Sequence, residues 1–93
     1  MTNIKIITAR KEMLKTVKKD GFALQYADVT LKADRELVLE AIKQNGRALQ
    51  YADDTLKADR KVVLEAVRNN VDALEYASEE LQNNPELKKL AKV

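Results

Sequence analysis

The chain has 93 residues, enough for one domain but near the size at which burial of apolar surface barely exceeds the conformational entropy lost on folding. Seventeen basic against fifteen acidic side chains leave a net charge of +2, too mild to imply nucleic acid or an anionic membrane by itself, and the absence of cysteine removes any disulfide framework or thiolate metal site. Ala, Leu, Glu, Lys and Gln dominate while glycine and proline number only two and one, so the expected class is all-α.

No apolar run approaches the roughly 18 residues needed to span a bilayer, and the N-terminus shows no secretory-type apolar core with a small-residue cleavage site. The expected location is the cytoplasm. The dominant feature is a period of 25. Residues 26–50 recur as residues 51–75, with nine of the 25 positions different and 16 identical. A fainter copy precedes them, with Gly21, Ala23, Leu24 and Gln25 where Gly46, Ala48, Leu49 and Gln50 stand, and a truncated copy follows from Tyr76. Such a period marks stacked repeats, in which no unit buries its own apolar face and neighbours bury each other's. The expectation is one domain over residues 1–93, with copies at about 1–25, 26–50, 51–75 and 76–93. It is an array of about three and a half helix-turn-helix repeats, a short α-solenoid or a compact helical bundle.

In chain order, residues 1–7 read as a degenerate half-repeat, β-branched at Ile4, Ile6 and Ile7, to which no conformation is assigned. A helix is expected from Ala9 or Arg10 to about Lys19, burying Met13, Leu14 and Val17. Gly21 then ends it, as a residue that accepts the left-handed conformation of a helix C-terminus. A shorter helix follows from about Phe22 to Leu31, and its counterparts at about 47–56 and 72–82 repeat Ala-Leu-x-Tyr-Ala-x-x-x-Leu. Val71 replaces the glycine in the third copy, so Asn69 or Asn70 has to make that turn. On the exposed side of the short helices, Asp28 with Lys32 and Asp53 with Lys57 are spaced i, i+4 with the acid first, the better orientation.

Asp34, Asp59 and Asn84 share one repeat position, and each accepts hydrogen bonds from the unpaired amides of a first helical turn. Pro85 holds the next position, where proline's missing donor costs nothing. Long helices are therefore expected at about 35–45, 60–70 and 85–92. Leu37, Val38, Leu39, Ala41 and Ile42 in the first of them, with Val62, Val63, Leu64, Ala66 and Val67 in the second, cover more than one stripe, as a helix with neighbours on two sides should. At the ends the pattern turns polar. Glu12 stands where Leu37 and Val62 stand, and Lys88, Lys89 and Lys92 stand where Val63, Leu64 and Val67 stand. A terminal repeat needs one wettable face, so a self-capped array is expected.

The pattern D-x-x-x-V-L-x-A-(I/V)-x-x-N-(G)-x-A-L-x-Y-A-x-x-x-L, closest at 34–56 and 59–81, resembles the repeats of the domain-of-unknown-function family 4116. The resemblance spans Arg10 to about Leu90, and the first copy departs from it with Ala9 and Glu12. It implies tandem helical repeats and no established activity, and it transfers no catalytic or binding residue.

The residues themselves argue against an enzyme. Histidine and cysteine are absent, and no Gly-rich phosphate loop, nucleophile elbow or metal-ligand spacing occurs. The adjacent acids Asp53–Asp54 and Glu79–Glu80 diverge by about 100° on a helix and make a poor cation site. No catalytic residue, cofactor, metal or small-molecule substrate is expected. The expected partner is another protein, bound by an interaction or scaffold module, and the candidate contacts are those that recur: Tyr26, Tyr51 and Tyr76, Asp28 and Asp53, Lys32 and Lys57. Two duller readings stand beside these. The tyrosine rings can pack between helices with only their hydroxyls reaching a partner, and duplication alone preserves surface charges. A second class of function is an anion, nucleic-acid or membrane-surface binder acting through the basic first helix, with Arg10, Lys11, Lys15, Lys18 and Lys19.

Overall fold

A computed structural model describes residues 9–92. Each repeat is a long α-helix, a 3₁₀ segment and a single-turn α-helix. The long helices are α1 (Arg10–Lys19), α3 (Arg35–Gln44), α5 (Arg60–Asn69) and α7 (Pro85–Ala91), and the short ones are α2 (Val29–Lys32), α4 (Asp54–Lys57) and α6 (Glu79–Gln82). Between them run 3₁₀ segments at Gly21–Tyr26, Gly46–Tyr51 and Val71–Tyr76. Successive long helices pack on one another, successive 3₁₀ segments do the same, and the two layers touch because the inner 3₁₀ segments meet their own long helix and the next one. The array measures 49 × 21 × 19 Å. The fold is all-α, as the period and composition predict. The reading of residues 1–7 as a half-repeat lies outside the described residues.

The long helices begin where their caps place them. Asp34 accepts from the Leu37 amide, Asp59 from those of Lys61 and Val62, and Asn84 from those of Glu86 and Leu87, with Pro85 in the first turn. Among the described residues only Ala9, whose side chain has no oxygen, leaves its helix without a side-chain cap.

The short helices differ from expectation. Each expected run of about ten residues is split at Ala27–Asp28, Ala52–Asp53 or Ala77–Ser78, where the alanine is extended and the next side chain caps a new turn. The reason lies in the competition between side chain and backbone. Asp28 accepts from the Leu31 amide and the Thr30 hydroxyl, and Asp53 from both the amide and the hydroxyl of Thr55. These local bonds offer the chain an alternative to a continuing helix. The carbonyls left at the ends of α2 and α4 find partners one repeat away. The Asp53 amide donates to the Lys32 carbonyl and the Ser78 amide to the Lys57 carbonyl, each at 2.9 Å. The short-helix layer is thus stitched across repeats by main-chain bonds.

The glycines also have another role than expected. Among the described residues none has a positive φ, so neither Gly21 nor Gly46 forms a left-handed C-cap. Asp20, Asn45 and Asn70 make the turn instead in an extended conformation, and each side chain accepts the amide two residues on. What selects glycine is the approach of the next long helix. A Cβ on Gly21 would lie 2.3 Å from the Ala41 carbonyl oxygen, and one on Gly46 would lie 2.3 Å from that of Ala66. Val71, at the same repeat position, is exposed and faces a shallow 360 Å³ groove beside Ala91.

The core is a continuous apolar file through the stack. Met13, Val17, Leu24, Leu37, Val38, Leu49, Val62, Val63 and Leu87 are fully buried, and Ala41, Ala48, Ala66 and Ala73 let the layers approach closely. Leu14, Leu39 and Leu64, which the periodicity placed in the core, are only partly covered. They lie on the outer side of the long helices, where no second layer covers them among the described residues. The expected polar ends hold: Glu12, Lys88, Lys89 and Lys92 are exposed.

Candidate functional site

The surface of a repeat array is set by which side chains are consumed in joining the repeats. The first helical residue of each long helix reaches the start of the next. Arg10 pairs with Asp34 at 2.5 Å and with Glu36 at 2.7 Å, Arg35 pairs with Asp59 at 3.1 Å, and Arg60 pairs with Glu86. The recurrence of Arg35 and Arg60 is therefore explained inside the molecule. All these pairs are partly exposed and screened by solvent, so they contribute little stability and serve to set register.

The tyrosines are joined in the same way. Phe22 meets the Tyr51 ring edge-on, with centroids 5.9 Å apart, and Arg47 lies 5.8 Å above the Tyr76 ring, donating to its hydroxyl at 3.0 Å and to Asp72 at 3.2 Å. Tyr51 and Tyr76 are consequently half-buried. Tyr26 occupies the same repeat position but is 47% exposed. The three tyrosines thus sit in different surroundings: Tyr51 and Tyr76 pack in joints between repeats, and Tyr26 is exposed.

Asp28 and Asp53 are placed as caps. The expected i, i+4 pairs with Lys32 and Lys57 do not form: Lys57 approaches Asp54 instead, at 4.0 Å, and Lys32 makes no ion pair among the described residues. Lys32 and Lys57 are half-covered along the short-helix side.

Titration follows this bonding. The Thr30 hydroxyl and Leu31 amide hold the Asp28 carboxyl below its ordinary value of 3.8, and the amide and hydroxyl of Thr55 do the same for Asp53. The Arg10 guanidinium lowers Asp34 against a smaller opposing effect of burial. For Asp59, burial is the largest single influence and raises the value, but the bonds from Arg35 and Val62 together outweigh it and the net shift is downward. A carboxyl lowered in the folded state stabilises the fold above its unfolded pKa, and that contribution vanishes as pH falls through the folded value. The melting temperature should therefore stay level from pH 7 to about 5 and fall below about pH 4. Asp59→Ala should cost about 1 kcal/mol at pH 7 and flatten the acid limb. Both are read from thermal melts across pH, and an acid limb unchanged in Asp59→Ala would contradict the assignment.

Two grooves larger than the one beside Val71 are open to solvent among the described residues. One is a 510 Å³ groove between α3 and α5, with Leu39 and Leu64 in its floor and three basic and three acidic side chains on its rim. The other is a 940 Å³ groove at the α1 end, where Lys11, Lys15 and Lys19, with Glu12 and Asp20, flank Ala23 and Tyr26. Among the described residues, no group of three or more His, Cys, Asp or Glu is placed to hold a metal ion, and no helix is long and apolar enough to cross a membrane. The basic side of this groove was legible in the first helix, whereas its opening beside Tyr26 was not.

Comparison with known families gives one result. The model of the family described as domain of unknown function (DUF4116) matches residues 10–57, 34–82 and 59–91, three overlapping segments, the first two of which each span about two repeats. The chain belongs to this family. No curated protein and no solved structure matches it.

Proposed function

We propose that this chain, as a member of a helical-repeat family of unknown function, is a non-catalytic module that binds other proteins or holds them in register as a scaffold. The observation that carries the reading is where its polar groups are spent. Each carboxyl with a resolved shift is pushed down by a cap or an arginine, whereas a general acid or base near neutral pH needs its value pushed up. The remaining side chains build a rod 49 Å long that offers related positions at every repeat, a geometry suited to an extended partner. A cysteine-free chain depends on no disulfide, and we propose the cytoplasm as its compartment.

The test is affinity capture with the immobilised chain, followed by the double variant Lys32→Glu, Lys57→Glu. These side chains take no part in caps or repeat joints, so the melting temperature should hold while capture of a side-binding partner drops by about tenfold, a typical sum for a few rim charges. If no protein is captured above a denatured-chain control, the scaffold reading fails.

A further inference from the structure

The α1 end carries the surface that each following repeat uses to receive its predecessor. Lys11, Lys15, Thr16, Ala23 and Tyr26 line the groove there, and 25 residues on stand Glu36, Glu40, Ala41, Ala48 and Tyr51. In the second repeat this surface is filled: Arg10 grips Glu36, Gly21 rests on the Ala41 carbonyl, and Phe22 meets the Tyr51 ring. In the third it is filled again, with Gly46 on Ala66 and Arg47 over Tyr76. The molecule thus shows twice what this surface accepts, a helix followed by a 3₁₀ turn. Among the described residues nothing fills the first copy, and Tyr26 is exposed there.

What differs is the sign of the charge. The second seat offers Asp34, Glu36 and Glu40 and takes up an arginine, whereas the first offers Ala9, Lys11 and Lys15, with Lys19 where Gln44 stands; Glu12 and Asp20 also line the first groove, so the contrast lies in its lysine row and not in its whole lining. Lys11, Lys15 and Lys19 are spaced four apart, so they form one stripe about 12 Å long. A second copy of this chain fits poorly. Stacked in the interior register, its last helix would bring exposed Lys88, Lys89 and Lys92 against this stripe.

We propose that the α1 seat docks an amphipathic helix of a partner protein, with carboxylates facing Lys11, Lys15 and Lys19 and an apolar side over Ala23 and Tyr26. This rests on the scaffold reading and specifies one of its contacts.

The test is an amide-resolved NMR titration of the full chain with two synthetic peptides copying residues 35–52, the unit that fills the third seat. One is unaltered and the other carries Arg35→Glu, Lys43→Glu and Arg47→Glu. The acidic peptide should shift the amides of Lys11, Lys15, Ala23 and Tyr26 and bind about tenfold more tightly than the unaltered one. In the chain variant Lys11→Glu, Lys15→Glu, Lys19→Glu the preference should invert, and the milder triple Lys→Gln variant should abolish it. The proposal is overturned if neither peptide moves these amides, if both bind alike, or if a twelve-residue oligothymidylate binds there more tightly with affinity falling steeply in salt. Failure here with capture intact removes only the seat, whereas loss of capture removes the scaffold reading itself.

Discussion

Leu49→Ala should lower the unfolding free energy by about 2–5 kcal/mol, while Leu39→Ala, the same chemical change ten residues earlier, should cost clearly less. Leu49 has no exposed surface and sits in the middle 3₁₀ segment, with neighbouring 3₁₀ segments on both sides and two long helices behind it. None of those elements can collapse into the vacated space without dragging the repeat joints with it, so the cavity persists and adds to the lost transfer energy. Leu39 lies on the outer side of α3, partly covered, where water or Leu64 can take up the space. A chain of this size has about 5–14 kcal/mol in all, so Leu49→Ala should also broaden or abolish the transition near physiological temperature. Urea titrations followed by helical circular dichroism give both values. Equal costs would show that the outer leucines are buried after all.

That contrast indicates where the sequence could be read and where it could not. The caps were legible because Asp34, Asp59, Asn84 and Pro85 act on the backbone within three residues of themselves, and the structure places them at the expected boundaries. The stacked architecture was legible because helical units that recur every 25 residues can bury their apolar faces only against one another. The split of the short helices was hidden by helical spacing in Ala-Leu-x-Tyr-Ala. Yet Asp28, Asp53 and Ser78 share one repeat position and all favour an N-cap, and that was the available signal. Leu39 and Leu64 were misplaced because periodicity finds an apolar face without saying whether a layer covers it. The open seat was beyond a local reading altogether. It emerges only when Tyr26 is compared with Tyr51 and Tyr76 and their covers, Phe22 and Arg47, are seen to come from the preceding repeat.

Gly46→Ala should destabilise the protein by about 1–3 kcal/mol or more, and the sign of that change decides between two accounts of the glycine. The backbone at Gly46 has no positive φ, so alanine is conformationally allowed. Were conformation the whole matter, alanine would stabilise by about 0.4–1 kcal/mol through the unfolded chain. Packing opposes this. The new methyl would lie 2.3 Å from the Ala66 carbonyl oxygen and 3.2 Å from the Asn69 Cβ, neither of them the end of a flexible side chain. Moving away would stretch the bond from the Gly46 amide to the Asn69 Oδ1, now 2.6 Å, and with it the return bond from the Asn69 Nδ2 to the Lys43 carbonyl. Gly21→Ala should behave alike against Ala41, since its methyl would meet the same 2.3 Å approach. Val71→Ala is the control. The third copy already carries a large side chain at this position, exposed beside the last turn of α7, so its truncation should change stability little. Thermal and urea melts of the three variants separate the accounts. A neutral or stabilising Gly46→Ala would mean that the helices stand farther apart than the 3₁₀ contact implies, and the close backbone approach that joins one repeat to the next would have to be abandoned.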